Sequence, residues 1–313
     1  MNKLFQAGKK VINHCLRLRK SENFLLVTDK HKMDIAEALA FWAKKAGAEI
    51  TTYLMTETLR PITELTSLFQ ELAKKATAIA YMLDARIEEK AFRGYMVKMG
   101  IKHGRILMMP GITSDMMKRL VNIDFKEMDV FTKKVIRALK DADDVLVENP
   151  EGTRIKFSVK RRKWVNDNGD ISHKGNHGNL PAGECFTAPV EGTFNGKLFT
   201  SLIDDKLGRG EMEFEKGKLV KYKGKGIEAI LTNIGQDETS RIIGEFGIGT
   251  NPKARISTNI LEAEKAFGTV HFAIGDSYGL GKNASKHHYD ALIKKVTIQA
   301  KGKLIAKDGK FLI

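Results

Sequence analysis

Thr269–Asp290 reads TVHFAIGDSYGLGKNASKHHYD, and its reading decides how the second half of the chain folds. It opens on an apolar run, Thr269–Gly275, of the length of a buried strand, with His271 inside it. It closes on His287-His288-Tyr289-Asp290, with glycines and small polar residues between. Side chains two apart in a strand share a face, so His288 and Asp290 point the same way if this end is extended. On a helix that spacing would turn them apart. Imidazoles and a carboxylate converging from strands and a loop are metal-site chemistry, provided that further carboxylates arrive from elsewhere. His271 alone would read as a core histidine.

Around this stretch the texture is that of antiparallel strands. After Asn149-Pro150-Glu151-Gly152 the chain alternates apolar and polar residues in TRIKFSVK (153–160), GTFNGKLF (192–199), EMEFEKGKLVKYKG (211–224) and GKLIAKDGKFLI (302–313). Asn168-Gly169, Asn195-Gly196 and Asp308-Gly309 are strong two-residue hairpin signals and Lys216-Gly217 a weaker one. Helices are expected at 238–243 and near 259–267. The first half differs. Short apolar runs at 24–29, 49–55, 77–83, 105–110 and 144–147 alternate with amphipathic segments. In Asp34–Ala48, Ile35, Leu39, Trp42 and Ala43 fall at helical spacing and Gly47 suits the position after the helix. Apolar strands alternating with helices predict a parallel sheet covered by helices. The expected fold class is therefore an N-terminal parallel α/β layer domain of Rossmann or flavodoxin type, residues 1–150. A mainly antiparallel, β-rich metal-binding domain, residues 151–313, follows it.

Such sheets often bind nucleotides, but Phe24–Asp29 is followed by Lys-His-Lys-Met-Asp, with no glycine-rich phosphate loop. Pro110–Asp115 reads as a plain helix cap. The first twenty residues carry no acid, and their apolar set has helical spacing, which reads as an amphipathic helix rather than a transit peptide. The net charge is +15, from 53 Lys and Arg against 38 Asp and Glu. The basic residues are dense only at Lys160–Lys163 and lack zinc-finger or RNA-binding aromatic patterns, so no nucleic-acid partner is expected. No apolar run approaches the roughly 18 residues that span a bilayer. Cys15 and Cys185 are too few for a disulfide framework and fit a reducing cytoplasm. Cys185 reads as a small buried hydrophobe rather than a ligand.

Five of the eight histidines lie beyond residue 170, which places a metal site in the β-rich half. Two further stretches there hold acids. Gly178–Pro189 is a small-residue loop running into an extended segment, and Glu184 at the junction reads, taken alone, as a surface glutamate beside a turn. In Ile242–Gly249 the single carboxylate of Glu245 is flanked by apolar residues and glycines. Burying an unpaired carboxylate costs several kcal/mol, so it must be neutralised, paired or bound to a cation. The glycines leave room for a ligand or a backbone to come close. His271, His288, Asp290 and Glu245 form a ligand mix suited to Zn²⁺, Mn²⁺ or Co²⁺.

Four ordered motifs, NLPAGECFTAP (179–189), GEFGIGTNP (244–252), ILEAEKAFGTVHFAIGDSYG (260–279) and HHYD (287–290), resemble the metallo-aminopeptidases typified by aminopeptidases T and S. The resemblance covers about residues 178–293. It implies Glu184, Glu245, His271, His288 and Asp290 as ligands of two divalent ions. It also implies Tyr278, seven residues after His271, as the tyrosine that stabilises the transition state. A further glutamate ligand precedes the histidine strand in the family. Glu264 is the first candidate here and Glu262 the second, with a spacing to His271 that differs from longer members. Glu184 or Glu264 would carry a proton to the leaving amine. The implied activity is hydrolysis of the N-terminal bond of peptides with a free N-terminus, by a cytoplasmic homodimer. Two readings stand beside it: a metal-dependent hydrolase of another amide or ester, and a basic nucleic-acid-binding or scaffold protein with a relict site.

Overall fold

The computed structural model describes residues 2–62, 64–84, 86–203 and 206–313. In chain order the strands are β1 (Asn23–Asp29), β2 (Glu49–Met55), β3 (Ala78–Met82), β4 (Arg105–Met108), β5 (Val145–Glu148), β6 (Arg154–Phe157), β7 (Val165–Asp167), β8 (His177–Asn179) and β9 (Glu184–Thr187). They continue as β10 (Asn195–Ile203), β11 (Lys206–Glu215), β12 (Lys218–Lys223), β13 (Ile243–Gly249), β14 (Val270–Gly275), β15 (His288–Ile293), β16 (Thr297–Ala300), β17 (Lys303–Lys307) and β18 (Lys310–Phe311). Two compact units result: Met1–Asp124 with Gly169–Ala182, and Phe125–Asn168 with Gly183–Ile313.

The first unit is the expected parallel layer structure, with strand order β2-β1-β3-β4-β8 and every pairing parallel. Parallel neighbours need crossovers, and helices α1 (Met33–Lys45), α2 (Ser67–Lys75) and α3 (Lys90–His103) supply them. On α1 the expected Ile35, Leu39 and Ala43 are buried, and Gly47 (φ +79°) turns the chain after the helix. The hydroxyl of Thr113 caps the helix Ser114–Leu120 by accepting from the Met116 N–H.

The structure corrects one strand of the sequence reading. Residues 144–147 were expected to continue the parallel sheet. The strand there, β5, instead pairs antiparallel with β6 and β16 in the other unit. Its inward valines, Val145 and Val147, alternate with half-buried Leu146 and Glu148, the pattern of a strand covered on one face. The fifth parallel strand is β8, only three residues long and without an apolar run to announce it. The units accordingly divide at 124/125, with 169–182 returning to the first, whereas a single boundary was expected near 150.

The second unit is built on one large sheet with strand order β18-β17-β16-β5-β6-β10-β15-β14-β13-β9-β7, and β11 and β12 extend from β10. Its pairings are antiparallel throughout. Phe157, Phe194, Phe214, Phe246 and Phe272 form an edge-to-face and stacked cluster in its core. Lys216-Gly217 and Asp308-Gly309 are hairpin turns with both residues at positive φ. Asn195-Gly196, by contrast, opens β10, and Asn168-Gly169 joins the two units. The expected helix at 238–243 is a short 3-10 turn, Glu238–Arg241, and that near 259–267 is the single turn Ile260–Ala263. The helix Lys225–Ile234, with Ile227, Ile230, Leu231 and Ile234 buried, went unread among the lysine-rich strands. Among the described residues no helix is long and apolar enough to cross a membrane.

Candidate metal centre

The register of β9, β13, β14 and β15 builds the site. Gly249 lies opposite Glu184, Gly247 opposite His271, Glu245 opposite Ala273, Ala273 opposite Asp290, and Gly275 opposite His288. With a side-chain period of two, these residues share one face of the sheet. Cys185, Phe246, Ile248, Phe272, Ile274 and Tyr289 are on the other, in the core. Four neighbouring strands thus bring Glu184, Glu245, His271, His288 and Asp290 onto one surface.

The glycines of β13 keep that surface open. A Cβ on Gly247 would sit 1.9 Å from Nε2 of His271, so the imidazole lies directly over the glycine. His271 Nε2 is 3.2 Å from Glu245 Oε1 and 3.4 Å from Glu184 Oε2. His288 Nε2 is 3.8 Å from Glu245 Oε2 and 3.6 Å from Asp290 Oδ1. Ligand atoms of Glu245, His288 and Asp290 all lie within 4.8 Å of one another. The His288 ring is held from behind, because Nδ1–H donates to the Asp276 carbonyl at 2.8 Å. That bond sets the tautomer and leaves Nε2 free to face the carboxylates.

Glu184 and Glu245 are each 5% exposed, Asp290 8% and His271 fully buried. Glu184 is therefore not the surface residue its turn suggested. Burial opposes the charged form of both imidazoles, but their neighbours outweigh it. Glu245, Glu184 and Asp290 hold His271 up to about 9, and Asp290 and Glu245 hold His288 up to about 10. Burial works against Asp290 too, yet His288 brings its carboxyl down to about 2. Burial pushes the Glu184 carboxyl up to about 8 despite the pull of Lys265, and Glu264 is raised for the same reason. The cluster attracts positive charge from every direction. Glu184 Oε2 and Asp290 Oδ1 are buried with no hydrogen bond among the described residues. Buried acceptors without donors, beside imidazoles with oriented nitrogens, fit a divalent cation.

The remaining expected residues divide. Glu264 adjoins the cluster through Lys265, while Glu262 Oε1 accepts the Arg255 N–H at 2.8 Å. Tyr278 is exposed, at φ +50°, with its ring 4.5 Å from that of His288. His287 turns away and stacks on Tyr289. Lys265 was missed. Its side chain is fully buried and its ammonium bonds Glu184 Oε1 at 2.8 Å and Glu264 Oε1. Burial works against that ammonium, but Glu184 and Glu264 raise its pKa above the usual lysine range. The available signal was a lysine followed by Ala-Phe-Gly and the histidine strand.

At 17% identity the chain resembles the structure of 2,5-dihydroxypyridine dioxygenase from Pseudomonas putida KT2440, with TM-score 0.76 over 100% of this chain and 98% of that one. It resembles AmpT from Thermus thermophilus at 16% identity, with TM-score 0.75 over 99% of each chain. Identities this low establish a shared fold, and that fold carries oxygenase chemistry in the first protein. Among curated protein sequences none matches. A family model, that of the thermophilic metalloproteases (M29), matches residues 122–311, which include every candidate ligand. The chain belongs to the thermophilic metalloprotease (M29) family and is a metallo-aminopeptidase of that class.

Proposed function

We propose that the protein removes the N-terminal residue from peptides with a free N-terminus, and that Glu245, His271, His288 and Asp290 hold the zinc, cobalt or manganese ion the reaction requires. The observation that carries this reading is the convergence of those four side chains, from three adjacent strands, on one buried face. When bound, such an ion lowers the pKa of a water and polarises the scissile carbonyl. The other tasks belong to the chain. His288 keeps its orientation through the Asp276 carbonyl. Tyr278, its ring tilted against that of His288 and exposed, donates to the developing oxyanion. Glu184, with Oε2 3.4 Å from His271 Nε2, or Glu264 carries the proton to the leaving amine. The surplus of carboxylates attracts the ammonium of a free N-terminus, which confines cleavage to the first residue. A second ion, as the resemblance implies, would draw on Glu184 and Glu264 together with His271 and Glu245, whose Nε2 and Oε1 lie 3.2 Å apart beside Glu184 Oε2. The homodimer that the resemblance implies is retained as part of the proposal and is read by light scattering.

The test is hydrolysis of aminoacyl-p-nitroanilides with each metal, free against N-acetylated, in wild type and Glu245→Gln. Metal-dependent turnover of the free substrates alone, lost with the metal in Glu245→Gln, is expected. Equal turnover of blocked substrates would move the reading to another amide or ester. A metal-loaded protein that hydrolyses neither would end it.

A further inference from the structure

Tyr278 sits in a backbone conformation that its side chain does not favour. Its φ is +50° and that of Gly279 is +74°, and the Leu280 N–H closes on the Ser277 carbonyl at 2.9 Å. Two left-handed central residues make this a type I′ turn, whose first central position suits Asn, Asp or Gly. A bulky residue there persists only where its surroundings over-determine it, and such strain gathers at functional sites. The loop that carries the turn, 276–287, joins β14, the strand of His271, to β15, the strand of His288. A cavity of about 180 Å³ adjoins it at Ser277, Gly281 and Asn283, so hydrogen bonds rather than packing from that side hold its shape.

Two residues organise those bonds. The Asn283 amide nitrogen uses both its protons, donating to the Gly275 carbonyl at 2.6 Å and to the Thr239 carbonyl at 2.8 Å. The Asn283 backbone carbonyl in turn accepts from the Ser277 N–H at 3.2 Å and from the hydroxyl of buried Ser277 at 2.6 Å. Asn283 thus fastens the turn to the end of β14 and to the 3-10 turn before β13. The Asp276 carboxylate spans the same loop. Its Oδ2 accepts the Tyr278 N–H at 3.3 Å and its Oδ1 the Ser285 N–H at 3.2 Å. The Asp276 carbonyl is also the group that orients His288. One residue therefore holds both the tyrosine and the imidazole, whose rings lie 4.5 Å apart.

We propose that Asn283 and Asp276 are positioning residues, which hold Tyr278 in its left-handed turn beside His288 so that the phenol meets the reaction already oriented. An oxyanion donor is worth most when its place is fixed before charge develops, and a displacement of about 1 Å can cost ~10²-fold in rate. Neither side chain acts on the substrate in this role; each acts through Tyr278. The inference rests on the reading of Tyr278 as the oxyanion donor.

The experiment is a double-mutant cycle between Asn283→Ala and Tyr278→Phe in the full chain. It reads kcat and KM on a free aminoacyl-p-nitroanilide at saturating Co²⁺, with amide hydrogen exchange over 276–287 as the readout independent of activity. Asn283→Ala is expected to lower kcat about 10–100-fold with KM within about twofold, and to speed exchange in this loop alone. In Tyr278→Phe the same substitution should change kcat by less than about twofold, because the group it positions is gone. Full multiplication of the two effects, or an unchanged kcat in Asn283→Ala, overturns the inference while leaving Tyr278 in its role. An unchanged kcat in Tyr278→Phe removes the donor and the inference with it, and metal-dependent hydrolysis stands. No hydrolysis by metal-loaded wild type ends the proposed function and this inference together. Should Asn283→Ala not fold, Asp276→Asn, which keeps an acceptor oxygen for only one of the two amides, is read by the same criteria.

Discussion

Replacing Gly247 by alanine tests the architecture of the site at its most exacting point. The added Cβ would lie 1.9 Å from Nε2, 2.2 Å from Cε1 and 2.6 Å from Cδ2 of His271, where ordinary contact begins near 3.4 Å. The ring must therefore retreat by more than an ångström. It has nowhere to go without disturbing β14, because His271 is fully buried and bonded to Glu245. Overpacking of this kind costs about 1–3 kcal/mol. The effect on metal is larger in kind, since ligand atoms must sit within about 0.2 Å of their coordination distance. Gly247→Ala should lose at least ~10-fold in metal affinity, comparable to losing an orienting partner. The assay is isothermal titration with Co²⁺ or Zn²⁺, with chemical denaturation of the metal-free protein alongside. Phe246→Leu is the control, because it thins the ring cluster on the opposite face and costs about 1–3 kcal/mol without touching a ligand. If Gly247→Ala binds metal as wild type does while losing the same stability as the control, His271 is not a ligand held over this glycine and the site reasoning fails.

Metal affinity should fall on acidification. The imidazoles of His271 and His288 are raised to about 9 and about 10 without metal, so an ion must displace their protons, and apparent affinity rises with pH up to that range. Titrations at pH 7 in buffers of different ionisation enthalpy should register proton release, and its absence would contradict the assignment. Tyr278→Phe should lower kcat by about 10²–10³ with KM nearly unchanged, the cost of one oxyanion donor; an unchanged kcat would remove Tyr278 from the chemistry. In the first unit, Arg60 and Glu89 form a fully buried two-pronged pair, Nε to Oε1 at 2.9 Å, and Glu89 also accepts the Ile62 N–H at 3.1 Å. Glu89→Ala leaves that buried guanidinium with only the Asp84 carbonyl and the more distant Glu57, and should cost about 3 kcal/mol by urea denaturation. A loss under 1 kcal/mol would show that the pair is solvated in solution.

Much of this protein was legible locally. The period-two spacing of His288 and Asp290, the lone carboxylate of Glu245 among glycines and the helical face of Ile35, Leu39 and Ala43 all depend on neighbours a few residues away. Backbone geometry alone then decides which way side chains point. Family membership was legible too, because the motifs keep their order along the chain. Other features depended on partners far off in sequence. Val145–Glu148 has the composition of a parallel strand, and only pairing with β6 and β16 made it antiparallel. His177–Asn179 is a strand solely because β4 offers an open edge. Whether an acid is buried is decided by what covers it, which is why Glu184 read as exposed from its turn and is enclosed in the fold. Lys265 shows the limit most plainly: its charge is written in the sequence, but its two carboxylate partners meet it only when β9 docks beside β13 and the turn before β14 closes over them.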